Sequence, residues 1–106
     1  MPNGGPVLRI FEVRVKDGHV KELLESFATT SAKVVDGQPG NRGYFFGQCI
    51  QGGENTVMFV SVWNDLDAVK LRFGDSWQES YLPEGYEELI ETCSIRHVDT
   101  GVGWHI

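Results

Sequence analysis

The chain has 106 residues, 41% of them apolar and 23% charged, which suits one domain with a modest core and excludes a disordered chain. Its formal charge is −6 and its Lys and Arg are scattered, so it lacks the cationic stripe that nucleic acid or an anionic membrane requires. The apolar runs fall far short of the ~20 residues of a membrane helix. Cys49 and Cys93 are far apart, as are His19, His97 and His105. No metal site is expected from such spacing, two free thiols in a reduced compartment are expected, and with no signal segment recognised a cytoplasmic location is expected.

Residues 1–6 read as a disordered lead without the basic start and apolar stretch of a signal peptide. Residues 7–106 form the predicted single domain. Val7–Val15 is rich in β-branched residues and reads as a strand. Alternation places Val7, Arg9, Phe11, Val13 and Val15 on one face and Leu8, Ile10, Glu12 and Arg14 on the other. Over residues 19–35 the period becomes helical, with Val20, Leu23, Leu24, Phe27, Ser31 and Val34 in one stripe.

A breaker cluster at residues 36–43 precedes a predicted strand over residues 44–51. Residues 52–55 read as a hairpin connection into Thr56–Trp63, apolar at almost every position and therefore central. Asn64 and Asp65 can cap a short helix carrying Leu66, Ala68, Val69 and Phe73, which Gly74 ends. Residues 75–83 are aromatic-rich and ambiguous. Pro83 is expected to open another helix with Tyr86, Leu89 and Ile90 buried, before a last strand over residues 94–99.

The order predicts an α+β, ferredoxin-like β-α-β-β-α-β fold: an antiparallel sheet with helices on one face. The other face would carry Leu8, Ile10, Met58, Val60 and Val62. That is too much apolar surface for a monomer, so two sheets are expected to pair face to face in a homodimer.

The chain resembles the antibiotic biosynthesis monooxygenase family of the dimeric α+β barrel superfamily. The resemblance spans roughly residues 7–99 and rests on four motifs. These are Pro39-Gly40-x-x-Gly43-Tyr44 before the second strand, Val-Ser-Val-Trp63-Asn-Asp before a helix, Phe73-Gly74-Asp75-Ser76-Trp77, and His97 in the last strand. It implies a dimeric α+β barrel with one pocket per subunit, between sheet and helices. Some relatives oxygenate aromatic polyketides without metal or flavin, and others degrade haem. The haem-degrading branch uses an Asn on the first strand, a Trp ending the third and a His on the next helix. Trp63 matches that Trp, but Phe11 stands at the Asn position and residues 66–73 contain no His. The resemblance therefore implies an oxygenase that needs no bound cofactor and takes O2 with a small hydrophobic or aromatic substrate, quinol-like or polyketide-like. The alternatives are a non-catalytic small-molecule-binding or stress-response protein of the same fold, or an isomerase using the same pocket.

Within that expectation His97 and Trp63 are the catalytic candidates. A histidine with an unperturbed pKa of about 6.5 suits a base that ionises a phenol-like substrate. Against this stands a structural histidine at the dimer seam. Trp63 is a pocket wall or a core tryptophan. Arg9, Phe11, Tyr44, Phe59, Phe73, Trp77 and Tyr81 are the substrate-binding candidates. Arg9 can meet an anionic group, although pairing with an acid at the rim is the favoured reading. Trp77 and Tyr81 can form a lid or simply anchor an irregular stretch.

Overall fold

In the computed structural model, which describes residues 5–51 and 53–106, the chain forms one four-stranded antiparallel sheet with its helices on one side. The strands are β1 (Val7–Val15), β2 (Asn41–Gln48), β3 (Thr56–Trp63) and β4 (Ile90–Asp99), in the order β2-β3-β1-β4. Residues 1–4 of the expected disordered lead lie outside the described residues. Pro6 is buried, and its carbonyl accepts from the backbone N–H and the hydroxyl of Thr100.

The first helical segment is one rod in three parts: α1 (Val20–Ser26), a π turn (Phe27–Ser31) and α2 (Ala32–Val35), with helical dihedrals at both joints. Leu23 and Phe27 face the sheet from α1 and the turn, and Ala32 and Val35 are buried beyond it. The Phe27 ring sits 5.4–6.3 Å from the rings of Phe11, Phe46, Phe59 and Tyr86, mostly edge-on or tilted. It is the centre of the core.

After β3, the Asp65 carboxylate accepts from the Ala68 N–H at 2.9 Å and caps α3 (Leu66–Phe73). Gly74, at φ 68°, ends that helix. Gly40 packs against the same helix at φ 82°, where a Cβ would stand 2.5 Å from that of Ala68. This close approach is what the Pro39-Gly40 motif permits.

Four expectations need correction. The strand expected over residues 44–51 begins earlier, at Asn41, and ends at Gln48. No helix follows Pro83: Gly85 takes φ 92°, so only a single 3₁₀ turn forms at Tyr86–Glu88. β4 then begins at Ile90 rather than Ser94, because Ile90 pairs back onto Val15. Val60 and Val62 are only 3% and 6% exposed, whereas Leu8, Ile10 and Met58 on the same face are half-buried. The exposed apolar surface of the helix-free face sits on the edge strands instead, in Phe45 at 57% and Val98 at 42%.

Candidate active site

Register assembles the site. Arg9 on β1 pairs with Ser61 on β3 and His97 on β4, and Ser61 pairs with Tyr44 on β2. One cross-strand row, His97–Arg9–Ser61–Tyr44, therefore runs across the sheet on its helix-covered side. The next row, Ile95–Phe11–Phe59–Phe46, is apolar. The polar row borders a small, partly open cavity of about 40 Å³ lined by Arg9, Phe11, Phe59, Ser61 and Ile95 from the sheet. Ser31, Val34 and Val35 line it from the helical rod, and Phe73, Tyr81 and Pro83 close it from the other side. A volume of 40 Å³ holds roughly three or four waters, each needing ~10–15 Å³ by this measure.

Arg9 is the centre of the arrangement. It is only 4% exposed, and none of its partners among the described residues is a carboxylate. Its Nη1 donates to the Trp77 carbonyl at 2.6 Å and to His97 Nε2 at 3.0 Å, and its Nη2 donates to the Glu79 carbonyl at 3.0 Å. Its guanidinium lies 3.7 Å from the centroid of the Phe73 ring, on which it stacks. Burial, with the nearby positive charge of Arg72 adding to it, lowers the Arg9 pKa to about 10, so the group stays charged at neutral pH. This corrects the expectation of a rim ion pair: Arg9 points inward from a covered strand face, and among the described residues other arginines make the pairs with carboxylates, at Arg14–Glu91 and Arg96–Glu12.

His97 does not line the cavity. It stands behind Arg9, with the Trp77 ring edge-on at 5.0 Å. Because Nε2 accepts from Arg9, the ring is neutral with its proton on Nδ1. Burial first, and then the Arg9 charge, push its pKa below the ordinary value. Trp63 is fully buried and also stands behind the wall, its indole N–H donating to Ser61 Oγ at 2.9 Å and its ring edge-on to Phe73. Tyr44 stacks on Phe59 at 5.5 Å.

Of the residues singled out from sequence, Arg9, Phe11, Phe59, Phe73 and Tyr81 meet at the cavity. His97, Trp63, Tyr44 and Trp77 support its walls. Sequence reasoning missed Ser31 and Tyr86. The π turn brings Ser31 onto the cavity wall, where its hydroxyl bonds Tyr86 Oη at 2.6 Å, and Tyr86 Oη donates to the Ser26 carbonyl at 3.0 Å. Burial raises the Tyr86 pKa, with the Ser31 hydrogen bond partly opposing it. The sequence signal was present: a serine within an otherwise apolar helical stripe. A second, broader hollow between α1 and the β2–β3 connection opens widely to solvent, and exposed Lys21, Glu25 and Glu54 stand on its rim. It lacks a buried polar group.

A one-sided antiparallel sheet with a cavity under its helices defines the ferredoxin-like α+β class. The model of the antibiotic biosynthesis monooxygenase family matches residues 6–74, and the chain belongs to that family. No protein of curated function matches it by sequence. Among solved structures, the protein PA3566 from Pseudomonas aeruginosa is similar at 17% identity, with a TM-score of 0.68 over 92% of this chain and 95% of the other. The haem-degrading protein Rv3592 from Mycobacterium tuberculosis is similar at 23% identity, with a TM-score of 0.66 over 98% of each chain. A NIPSNAP family protein from Agrobacterium tumefaciens is similar at 20% identity, with a TM-score of 0.64 over 90% of this chain and 85% of the other. At these identities the likeness is one of fold.

The site does not fit haem. Of the side chains that ligate haem iron, the cavity wall offers Tyr81 alone. Among the described residues, no cluster of His, Cys, Asp and Glu is placed to hold a metal ion, and no helix is long and apolar enough to cross a membrane.

Proposed function

We propose that the protein is a cofactor-independent monooxygenase for a small aromatic substrate that ionises at an oxygen, such as a phenol or an enol. One observation carries this reading: a buried guanidinium with no carboxylate partner among the described residues lines a small, largely apolar cavity whose other polar side chains are the hydroxyls of Ser31, Ser61 and Tyr81. Such a cation stabilises an oxyanion far more than it would in water. The anion is the electron-rich form that reacts with O2. His97 supports the same step from behind Arg9: its Nε2 accepts from Nη1 and steadies the guanidinium, and it serves as the base for the phenolic proton once the substrate oxygen reaches it past Arg9. A histidine held neutral at pH 7 suits that task.

For a naphthol the atoms balance without a further reductant. One atom of O2 bonds to the ring carbon para to the hydroxyl. The O–O bond breaks, and the second atom leaves as water with the hydroxyl and ring hydrogens. The four electrons taken up by O2 come from the substrate, which ends as the quinone. The apolar walls keep water out during this exchange.

The test is O2 uptake with 1-naphthol under ¹⁸O₂. Incorporation of one labelled oxygen into naphthoquinone, lost in Arg9→Met, supports the reading. Saturable binding of 1-naphthol without O2 uptake would instead make the protein a ligand carrier. Quinone formation under argon would make the chemistry anaerobic and overturn the oxygenase.

The assembly belongs to the same proposal. Phe45 and Val98, with half-buried Leu8, Ile10 and Met58, form an apolar helix-free face that a second copy would bury. Sedimentation at micromolar concentration as a particle of 11.9 kDa would rule out the dimer.

A further inference from the structure

At about 40 Å³ the cavity is smaller than an aromatic ring, so an aromatic ligand enters fully only if a wall shifts, and residues 74–89 are the wall with the least regular structure. These residues form a roof without regular structure beyond two 3₁₀ turns. Their backbone bonds are local, from Trp77 to Gly74, Glu79 to Ser76, Tyr86 to Pro83 and Leu89 to Tyr86, until Leu89 meets Lys16 at the far end. Tyr86 ties the far half of the roof to the helical rod. The near half, residues 74–82, has two strong hydrogen bonds to the sheet among the described residues. Both come from Arg9, to the carbonyls of Trp77 and Glu79. A long contact of 3.8 Å between Cys93 Sγ and Ser80 adds little.

We propose that Arg9 is a charge-operated latch: it holds the roof closed through two backbone carbonyls, and a ligand carrying an anionic oxygen opens the roof by taking those N–H donors. The proposal rests on the cavity being the ligand site and adds how that site selects its ligand. A carboxylate or phenolate accepts from a guanidinium more strongly than a neutral carbonyl does. It also supplies the negative charge that the buried cation lacks. A neutral carbonyl accepts no more strongly than the two it would replace, so a neutral isostere gains nothing by displacing them and selection for anions acts at the opening step. Arg72 strengthens that preference. It raises the local positive potential, its Nε donates to the Val34 carbonyl at 2.6 Å, and its guanidinium lies 5.3 Å from the Phe73 ring centroid. A product that has become a neutral quinone loses its hold on Arg9, and the latch closes behind it.

Amide hydrogen exchange across residues 74–82 reads the latch directly, with 1-naphthoate and its uncharged isostere 1-naphthamide as probes. Without ligand, Arg9→Met should exchange roughly tenfold faster or more in this segment, as expected for losing two charge-assisted hydrogen bonds. Exchange in β1 and β3 should stay at the wild-type rate. In the wild type, 1-naphthoate should speed roof exchange and bind at least about tenfold more tightly than 1-naphthamide. Arg9→Lys, which keeps the charge but loses the fork of donors, should fall between the two proteins and guards against misfolding of Arg9→Met. Wild-type roof exchange in both variants would overturn the latch, as would equal affinity for the two probes with unchanged roof exchange. The ligand reading fails separately: neither probe binding the wild type, while ligand-free Arg9→Met still loosens the roof, removes the ligand and keeps the latch.

Discussion

The floor and the roof of the cavity are built by opposite means. The floor is four strands in register except for irregularities at Arg14/Val15 and Asn41/Gly43, and each side chain's place follows from its partner across the ladder. The roof, residues 74–89, has no ladder: hydrogen bonds from Arg9 tie its near half and Tyr86 its far half, with Trp77, Leu82 and Leu89 packed against the core. Fixed backbone positions the charge, whereas a loosely tied segment decides what reaches it. Rigid elements hold a reacting group in place better than loops do, and loops open more readily than strands.

The largest expected effect breaks the floor's packing. Phe27→Ala empties the centre of four aromatic neighbours and should cost about 3–5 kcal/mol in urea denaturation, as buried Phe→Ala changes do. A loss under about 1 kcal/mol would mean that the rod is not pinned to the sheet there.

Gly40→Ala comes next. It puts a side chain at positive φ against Ala68 and should cost roughly 1–3 kcal/mol by the same measurement. Because it strains the junction between β2 and α3, roof exchange should change little.

Tyr86→Phe is smaller and acts on the roof. It removes the hydroxyl that joins Ser31 to the Ser26 carbonyl and should cost about 1 kcal/mol. Exchange should rise in residues 83–89 but not in residues 74–82, which separates the two anchors. Equal rises in both halves would contradict separate tethers.

The smallest effect is one of pH. His97 has its pKa lowered in the fold, so the unfolded chain takes up the proton first as pH falls. Its contribution to stability is complete above the unfolded value near 6.5 and declines as pH falls through that value toward the folded one. Thermal unfolding of wild type and His97→Gln between pH 8 and 5 should show the wild type losing ground below about pH 6.5 relative to the variant. Parallel profiles would place His97 outside this coupling.

The same contrast governs what was legible in the sequence. The floor was readable because period-2 alternation assigns faces without knowing the fold. It put Arg9 and Phe11 on one side of β1, and Ser61 and Trp63 on one side of β3. What alternation cannot supply is the partner across the ladder. The row that joins Arg9 to Ser61 and His97 needed three strands in register, and with it the replacement of an expected rim carboxylate by backbone carbonyls. The roof was unreadable for a different reason. Its sequence carries helix-opening signals at Pro83, and a single positive φ at Gly85 overrides them. Local propensity lost to one glycine, and the strand after it gained four residues, beginning at Ile90 instead of Ser94.

The π turn at Phe27–Ser31 carries a consequence of its own. A helix of uniform pitch keeps one azimuth toward its neighbour, so a group aimed at the core early in the rod fixes what is aimed there later. An additional residue within the rod resets that phase. Upstream, the rod can be selected for greasy contact with the sheet. Downstream, the face that meets the hollow can be selected afresh, for a hydroxyl at Ser31 or for something bulkier. Lineages that gain or lose this one surplus residue would differ in what their hollows accept while their sheets remain superimposable.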